Sequence, residues 1–180
     1  MPAIYKIVFA GPVGAGKTEA VKVLSDIEVV STEATASDDV RKIKAQTTVA
    51  MDYGVMKLAN GDIVRLYGTP GQERFMFMWE ILSETALGIV LLLDGSAADP
   101  VADLKTYVAH FRRIIDQTAL VVGITHIGWG DRQLRPAVAA ELARLGLPPV
   151  VMDADARSRS EMATLVRSLI YSLDPLHEAR

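Results

Sequence analysis

Residues 11–18, GPVGAGKT, have the types and the spacing that bind phosphate. Gly11 is followed by four residues and then by Gly16, Lys17 and Thr18. Glycines allow the backbone to turn so that several N–H groups point inward around a phosphate group. Lys17 would contact the β- and γ-phosphates of a nucleotide, and the Thr18 hydroxyl would ligate Mg²⁺. The spacing therefore predicts a site for a nucleoside triphosphate with its metal ion.

The flanking segments would position this glycine-rich turn. Residues 4–10, before the turn, form an apolar run typical of a buried strand, and residues 18–27 have a helical pattern. A helix that begins at the turn adds free N–H groups and the positive end of its dipole to the phosphate site. The motif is thus expected between the first strand and the first helix of the fold.

Apolar runs and helical patterns alternate along the whole chain, which is typical of a doubly wound sheet. The predicted strands are residues 4–10, 48–58, 63–67, 88–94, 120–125 and 149–152. The predicted helices are residues 18–27, 77–86, 101–116, 133–145 and 160–173. Asn60-Gly61 between the second and third strands is a strong hairpin signal. The expected fold is a three-layer α/β P-loop fold with a six-stranded, mostly parallel sheet and one antiparallel strand, and its ligand at the carboxyl ends of the strands.

Composition limits the class of protein. A chain of 180 residues without a linker-like segment is expected to form one domain, residues 1–180. The net charge of −3 gives no basic surplus, so we expect no nucleic-acid partner. The chain has no cysteine, which excludes disulfides, thiolate zinc sites and cysteine-anchored lipids. No signal-peptide layout, membrane anchor or bilayer-length apolar run is found, so we expect a cytoplasmic protein.

Residues 30–47 are polar, rich in Ser, Thr and Asp, and lack apolar periodicity. They predict a long loop between the first helix and the second strand. Loops of this length inside a compact domain are usually functional, although a tolerated surface insertion is the alternative.

Taken together, these features resemble the Ras-like small GTPases. Residues 48–53, TVAMDY, are similar to the end of that family's first switch, and residues 69–75, TPGQERF, to its second. In detail, TTVAMDYG and YGTPGQERFMFMWE resemble a bacterial branch of predicted ATP/GTP-binding proteins related to the MglA-type polarity GTPases. The resemblance implies a Mg²⁺-dependent GTP/GDP switch that hydrolyses GTP slowly and signals to protein effectors or regulators, including a roadblock-type activating or regulatory protein.

The resemblance also implies roles for residues of the two switches. Thr48 would ligate Mg²⁺ and contact the γ-phosphate, with the adjacent Thr47 as a competitor for that role. Gly71 would donate a backbone N–H to the γ-phosphate, and Gln72 would orient the attacking water. Arg74 could act on the phosphate in cis once a partner reshapes the loop, or it could be a solvated surface charge. The predicted catalytic residues are Gln72, Lys17 and Arg74, and the predicted metal ligands are Thr18 and Thr48.

Several positions depart from the family pattern. Gly68 stands where the family carries an Asp that helps to hold the metal's water shell; Asp94 could take that role or could be a structural carboxylate. Val13 stands where many relatives have Gly, and its branched side chain would crowd the γ-phosphate and an inserted arginine. The predicted nucleotide-binding residues of the first motif are Gly11, Val13, Gly14, Ala15, Gly16, Lys17, Thr18 and Glu19.

The base-reading segment departs most. In place of the family's Asn-Lys-x-Asp the chain has residues 125–128, THIG, and Gly128 has no carboxylate for guanine. Thr125 could hold the loop, the His126 stem could cover the base, and Asp131 could swing in; a loop histidine without a ligand is the alternative for His126.

Asp155-Ala156-Arg157 resembles a variant of the family's Ser-Ala-Lys loop, in which the Ala156 N–H would meet the purine O6. We therefore expect GTP to be preferred over ATP, but weakly. The remaining nucleotide-binding predictions are Thr48, Gly71, Thr125, His126, Asp155, Ala156 and Arg157.

Two questions remain open from the sequence. Residues 75–79, FMFMW, are too apolar for one buried helix face, so they predict core packing, a partner-binding patch, or both. The alternatives to a GTPase are a nucleotide-binding scaffold without useful turnover and an ATP-preferring P-loop protein. A phosphotransferase is disfavoured, because residues 69–73, TPGQE, already account for water positioning and the chain has no arginine-rich lid.

Overall fold

The structure is a computed structural model that describes residues 1–35, 48–72, 75–128 and 131–173. Its strands are β1 Ile4–Ala10, β2 Val30–Thr35, β3 Thr48–Lys57, β4 Ile63–Gly68, β5 Gly88–Asp94, β6 Ala119–Thr125 and β7 Val151–Asp153. Its helices, numbered within the described residues, are α1 Lys17–Leu24, α2 Met76–Ser83, α3 Pro100–Ile115, α4 Leu134–Arg144 and α5 Arg159–Tyr171. No helix in these ranges combines the length and apolarity needed to cross a bilayer.

One sheet contains all seven described strands, in the order β2-β3-β4-β1-β5-β6-β7. Strand β3 is antiparallel to both of its neighbours, and all other adjacent pairs are parallel. The predicted fold class, a mostly parallel α/β sheet with one antiparallel strand, is confirmed. The carboxyl ends of β1, β5, β6 and β7 therefore meet at one edge of the sheet, where a doubly wound fold binds its ligand.

The prediction of six strands, with residues 30–47 as a loop, is wrong for residues 30–35. Residues 30–35 form β2, which pairs with β3 from Val30 opposite Tyr53 to Thr35 opposite Thr48. An edge strand is held by backbone hydrogen bonds to one neighbour and can keep a polar composition, so apolar periodicity does not reveal it. Residues 36–47 lie outside the described residues.

The predicted hairpin between β3 and β4 is confirmed. The Leu58 N–H donates to the Asp62 carbonyl at 2.8 Å, and the Gly61 N–H donates to the Leu58 carbonyl at 2.9 Å. Gly61 has a φ of 88°, a left-handed conformation that glycine adopts without a Cβ penalty. The turn fixes the register of the two strands, which places Asp52 opposite Gly68.

Buried side chains of β5 alternate between two hydrophobic clusters on opposite faces of the sheet. Ile89, Leu91 and Leu93 pack with residues of α2, α3 and α4. Val90 and Leu92 pack on the other face with residues of α1 and α5. Helices thus cover both faces, as the continuous apolar composition of the central strands predicts.

Substitution of Gly11 should destabilise the fold itself. Gly11 has a φ of 142°, and a Cβ at this position would lie 2.0 Å from the backbone oxygen of Leu92. We expect Gly11→Ala to lower the free energy of unfolding by roughly 3 kcal/mol or more, measured by urea denaturation without ligand. Gly61→Ala is the matched control: its φ is also positive, but no atom lies within 4 Å of the added Cβ, so the loss should be about 1 kcal/mol. Equal losses would contradict this packing.

Candidate functional site

The glycine-rich turn lies between β1 and α1, as predicted. Gly11, Gly14 and Gly16 have positive φ angles of 142°, 84° and 97°. These conformations reverse the chain within a few residues and start α1 at Lys17. The turn therefore presents backbone N–H groups next to the positive end of a helix, an arrangement suited to an anion.

Lys17 is the buried cation of this turn. Only 8% of the residue is exposed, and its Nζ donates to the carbonyl oxygens of Gly11 at 2.6 Å and Pro12 at 2.8 Å. Burial lowers the pKa of Lys17 to about 8, although the negative charge of nearby Asp52 opposes this shift. An ammonium group has three donors, so the two carbonyls leave one for an anion held in the turn.

Asp52 on β3 supplies a carboxylate that the sequence analysis missed. Its Oδ2 accepts a hydrogen bond from the Thr18 hydroxyl at 2.6 Å, and its Oδ1 accepts one from the Ser31 hydroxyl at 2.8 Å. Asp52 lies opposite Gly68, and a Cβ added to Gly68 would be 3.2 Å from the Cβ and Oδ2 of Asp52. Gly68 thus leaves room for a carboxylate that arrives from the neighbouring strand.

Asp94, the other candidate carboxylate, belongs to a different set of contacts. Its Oδ1 accepts hydrogen bonds from the Ser96 N–H at 2.9 Å and the Ser96 hydroxyl at 2.6 Å, and it lies 3.1 Å from Nδ1 of His126. Burial alone would raise the pKa of Asp94, but the bonds from Ser96 and the contact with His126 together bring it below its ordinary value. These contacts are compatible with a structural role for Asp94, and its role at the metal stays a prediction.

The segment after β4 approaches the turn closely. A Cβ added to Gly71 would lie 2.6 Å from the Val13 backbone nitrogen and 2.9 Å from Lys17 Nζ, so only glycine fits here. The carbonyl of the preceding Pro70 accepts a hydrogen bond from Trp79 Nε1 at 2.7 Å. The Gly71 carbonyl accepts one from the Tyr107 hydroxyl at 3.3 Å. Residues of α2 and α3 thus hold this segment against the phosphate-binding turn.

A cavity of about 690 Å³ opens beside the turn at the ends of β6 and β7. It is lined by Gly16, Glu19, Ile124, Thr125, His126, Ile127, Asp153, Ala154, Asp155, Ala156, Arg157 and Glu161. The Thr125 hydroxyl lies 2.8 Å from the Ala15 carbonyl and 3.2 Å from the Leu93 carbonyl, so it ties the turn to the cavity floor. His126 has a φ of 53°, a left-handed conformation that is uncommon outside glycine. The volume is in the range of small-molecule sites.

The loop that contains Ala156 rests on the turn, because a Cβ at Gly16 would lie 2.7 Å from the Ala156 Cβ. The Arg157 guanidinium makes two hydrogen bonds to the Asp155 carboxylate, at 3.0 and 2.9 Å, and they lower the pKa of Asp155 to about 2. Glu161, which was not predicted, accepts the Asp155 N–H at 2.6 Å. No described residue accepts a hydrogen bond from the Ala156 N–H. Among the described residues, the N–H of the buried Ala156 is therefore available as a donor at the cavity.

The remaining predicted site residues are placed as follows. Val13 is 66% exposed beside the turn. Gln72 is also exposed, and its carbonyl accepts the Phe75 N–H at 3.0 Å. Thr48 begins β3, and the role of its hydroxyl stays a prediction. Thr47 and Arg74 lie outside the described residues.

Core packing accounts for part of the apolar segment 75–79, and the partner-binding interpretation stays a prediction. Phe75 and Trp79 are buried, with 5% and 1% of each residue exposed. Phe77 and Ile81, one helical turn apart on α2, are 45% and 56% exposed. The helix therefore packs one face on the core and presents an apolar pair to solvent.

Comparison with solved structures identifies the fold. The chain is similar to the crystal structure of a bacterial selenocysteine-specific elongation factor, EF-Sec, with a TM-score of 0.64 and 17% identity over 98% of this chain and 30% of that one. It is equally similar to the G domain of the T. maritima FeoB iron transporter, with a TM-score of 0.64 and 17% identity over 95% of this chain and 99% of that one. The fold is thus that of P-loop G domains, and this chain spans less than a third of the elongation factor.

A family model described as "Conserved hypothetical ATP binding protein" matches residues 26–174. This match begins after the glycine-rich turn, so it does not depend on the phosphate-binding motif. No curated protein matches the chain.

Replacement of Lys17 should separate ligand binding from folding. Because Lys17 carries a desolvated charge, we expect Lys17→Ala to weaken binding of a labelled nucleoside triphosphate about a hundredfold or more while the unfolding midpoint is not lowered. The exposed Lys22 on the same helix, which is 3.6 Å from Glu19, provides the control Lys22→Ala. Equal affinities of the two variants would show that Lys17 does not contact phosphate.

Proposed function

We propose that this chain, which belongs to the family of conserved hypothetical ATP binding proteins, binds GTP with Mg²⁺ and slowly hydrolyses it to GDP as a molecular switch. The observation that carries the proposal is the close approach of Gly71 to the Val13 backbone nitrogen and to Lys17 Nζ. A γ-phosphate bound by Lys17 would enter the space against Gly71. The segment that precedes Gln72 would therefore have to respond to that phosphate.

The contacts of this segment supply a route from the phosphate to the surface. Movement of Pro70 and Gly71 would break or redirect their hydrogen bonds with Trp79 and Tyr107. Trp79 lies on α2, the helix that exposes Phe77 and Ile81. A γ-phosphate would thus change the orientation of the apolar surface formed by Phe77 and Ile81. In this way the position of a switch segment would depend on the bound nucleotide. Effectors or a roadblock-type regulator, both implied by resemblance, would read this surface.

The residues around Thr18 fit Mg²⁺, which prefers hard oxygen ligands in an octahedral shell and keeps several waters. The Thr18 hydroxyl would bind the metal directly, as would Thr48 by resemblance. Asp52, 2.6 Å from Thr18 Oγ1, would then accept hydrogen bonds from metal-bound water in place of the carboxylate missing at Gly68. The metal would supply charge neutralisation at the β- and γ-phosphates.

Base recognition favours guanine through the Ala156 N–H. A free backbone donor suits the O6 acceptor of guanine and opposes the amino group of adenine. ATP is the competing ligand, because the family description names ATP and Gly128 provides no carboxylate. Guanine preference should accordingly be modest, and a scaffold that holds nucleotide without turnover is the alternative to the switch.

Hydrolysis should be slow because no described arginine lies at the phosphate-binding turn. Gln72 has a side chain that can both donate to and accept from an attacking water. The exposed Val13 would obstruct an arginine that arrives from another protein. A partner that rearranges residues 72–74, with Arg74 acting in cis, is the more direct route to fast turnover; a positioned arginine contributes roughly a thousandfold.

The test combines nucleotide competition with single-turnover cleavage. We expect GTP to displace a labelled guanine nucleotide at lower concentration than ATP, and the bound GTP to be cleaved slowly. Gln72→Leu should slow cleavage about tenfold, the equivalent of one lost hydrogen bond of about 1.4 kcal/mol in the transition state. Gln117→Leu, beyond the end of α3, is the control for the same change of side chain. Equal competition by ATP would defeat guanine recognition, and wild-type cleavage by Gln72→Leu would defeat the water-positioning role.

The metal assignment has its own prediction. Asp52→Asn should raise the Mg²⁺ concentration required for half-maximal triphosphate binding by about tenfold, because an amide orients metal-bound water less well than a carboxylate. Asp94→Asn should leave this requirement unchanged, since Asp94 bonds to Ser96 and His126. The reverse pattern would assign the metal's outer shell to Asp94.

A further inference from the structure

A second cavity of about 510 Å³ adjoins the 690 Å³ cavity beside the glycine-rich turn, here called the base cavity. It is lined by Ile127, Gly128, Asp131, Arg132, Arg135 and Asp153. Ile127 and Asp153 line both cavities, so Asp153 lies where the two meet. Resting on the proposed function, we propose that Asp153 supplies the guanine-reading carboxylate that Gly128 lacks, by accepting hydrogen bonds from N1–H and the 2-amino group.

The fold places Asp153 next to the other base-reading groups. It is the last residue of β7 and pairs with Ile124, immediately before Thr125 and His126. The next residue, Ala154, donates its N–H to the Ile124 carbonyl at 2.9 Å and so fixes the start of the loop that carries Ala156. Asp153 and the Ala156 N–H therefore both lie at the base cavity, three residues apart in the chain.

Asp131, the other carboxylate of the second cavity, already has a structural use. Its Oδ1 accepts hydrogen bonds from the N–H groups of Gln133 at 3.2 Å and Leu134 at 3.1 Å, so it caps the start of α4. Turning Asp131 toward a base would leave both N–H groups without that acceptor. The sequence-based suggestion that Asp131 swings in is therefore disfavoured.

Asp153 has looser contacts than Asp131. Its side chain is 48% exposed, and it makes an ion pair with Arg135 Nη1 at 3.5 Å. Gly128, which lines the second cavity with Asp153, leaves space there, because no atom lies within 4 Å of a Cβ built on it. The carboxylate can therefore turn about its own χ angles toward the base cavity without disturbing a helix.

The chemistry of a carboxylate selects one purine edge. An ionised carboxylate has two oxygens that only accept hydrogen bonds, which matches the adjacent N1–H and 2-amino donors of guanine. Adenine presents an acceptor at N1 and no amino group at C2, so the carboxylate would face a lone pair. Together with an Ala156 N–H at O6, Asp153 would complete the recognition of guanine from a single loop.

The experiment uses xanthosine triphosphate, which carries a carbonyl oxygen at C2 in place of the amino group. An Asn side chain can donate to that oxygen, and an Asp cannot. We expect Asp153→Asn to weaken GTP binding about ten- to a hundredfold and to strengthen binding of xanthosine triphosphate, so that the ratio of the two affinities falls or inverts. Competition against a labelled guanine nucleotide, with circular dichroism to verify folding, measures the ratio.

Two further variants make the result decisive. Asp131→Asn should keep the wild-type ratio and the fold, because the amide oxygen of Asn can still accept the N–H groups of Gln133 and Leu134. Gly128→Asp in the Asp153→Asn background should recover preference for GTP, because the open space admits a new carboxylate. A wild-type ratio in Asp153→Asn, or a shift in Asp131→Asn instead, would overturn the role of Asp153 while guanine preference in the wild type stands. Preference of the wild type for ATP would overturn the proposed function itself.

Discussion

The structure depends on a buried positive charge. Lys17 has 8% of its surface exposed and is held by two carbonyl oxygens, which solvate an ammonium but do not neutralise it. Burial of an unneutralised charge is costly, and the lowered pKa of Lys17 reflects that cost. The glycine-rich turn, the start of α1 and the approach of Gly71 are all arranged around this ammonium. A phosphate is the ligand that would return the missing negative charge, so the unliganded turn is organised for an anion.

The Asp52 carboxylate reaches Thr18 from β3, a strand adjacent to the one that ends with Gly68. In the pattern that the sequence resembles, the acid lies at the end of the strand that here ends with Gly68. Here Asp52 projects from β3 beside Gly68, and a side chain at Gly68 would crowd it, since an added Cβ would lie 3.2 Å from the Cβ and Oδ2 of Asp52. The position of Asp52 opposite Gly68 depends on strand register, which the hairpin at Asn60-Gly61 sets.

The position of Asp52 shows which kinds of feature the sequence predicts and which kinds it does not. Patterns with local causes were sufficient for the glycine-rich turn, the hairpin and the helices, whose ends were placed to within three residues. Counting back from Asn60-Gly61 would have placed Asp52 beside Gly68 or Thr69, so that signal was present and was not used. Strand β2 had a weaker signal, because the sequence of a polar edge strand resembles that of a loop. The use of Asp131 as a helix cap also had a weaker signal, because an Asp before a helix can cap it or stay free to bind a ligand. The free Ala156 N–H depends on packing between distant segments, so no local pattern contains it.

The aromatic rings packed behind Gly71 would transmit a displacement at the phosphate-binding turn to helices α2 and α3. The Trp79 ring stacks on Tyr107 with centroids 4.6 Å apart and on Phe111 at 5.6 Å. Closely packed rings resist independent movement, because a shifted Trp79 ring loses contacts with both Tyr107 and Phe111. Trp79 and Tyr107 are also the residues that bond to the carbonyls of Pro70 and Gly71. Displacement of that loop would therefore have to move the stack or break both bonds, a coupling that would suit the switch proposed above.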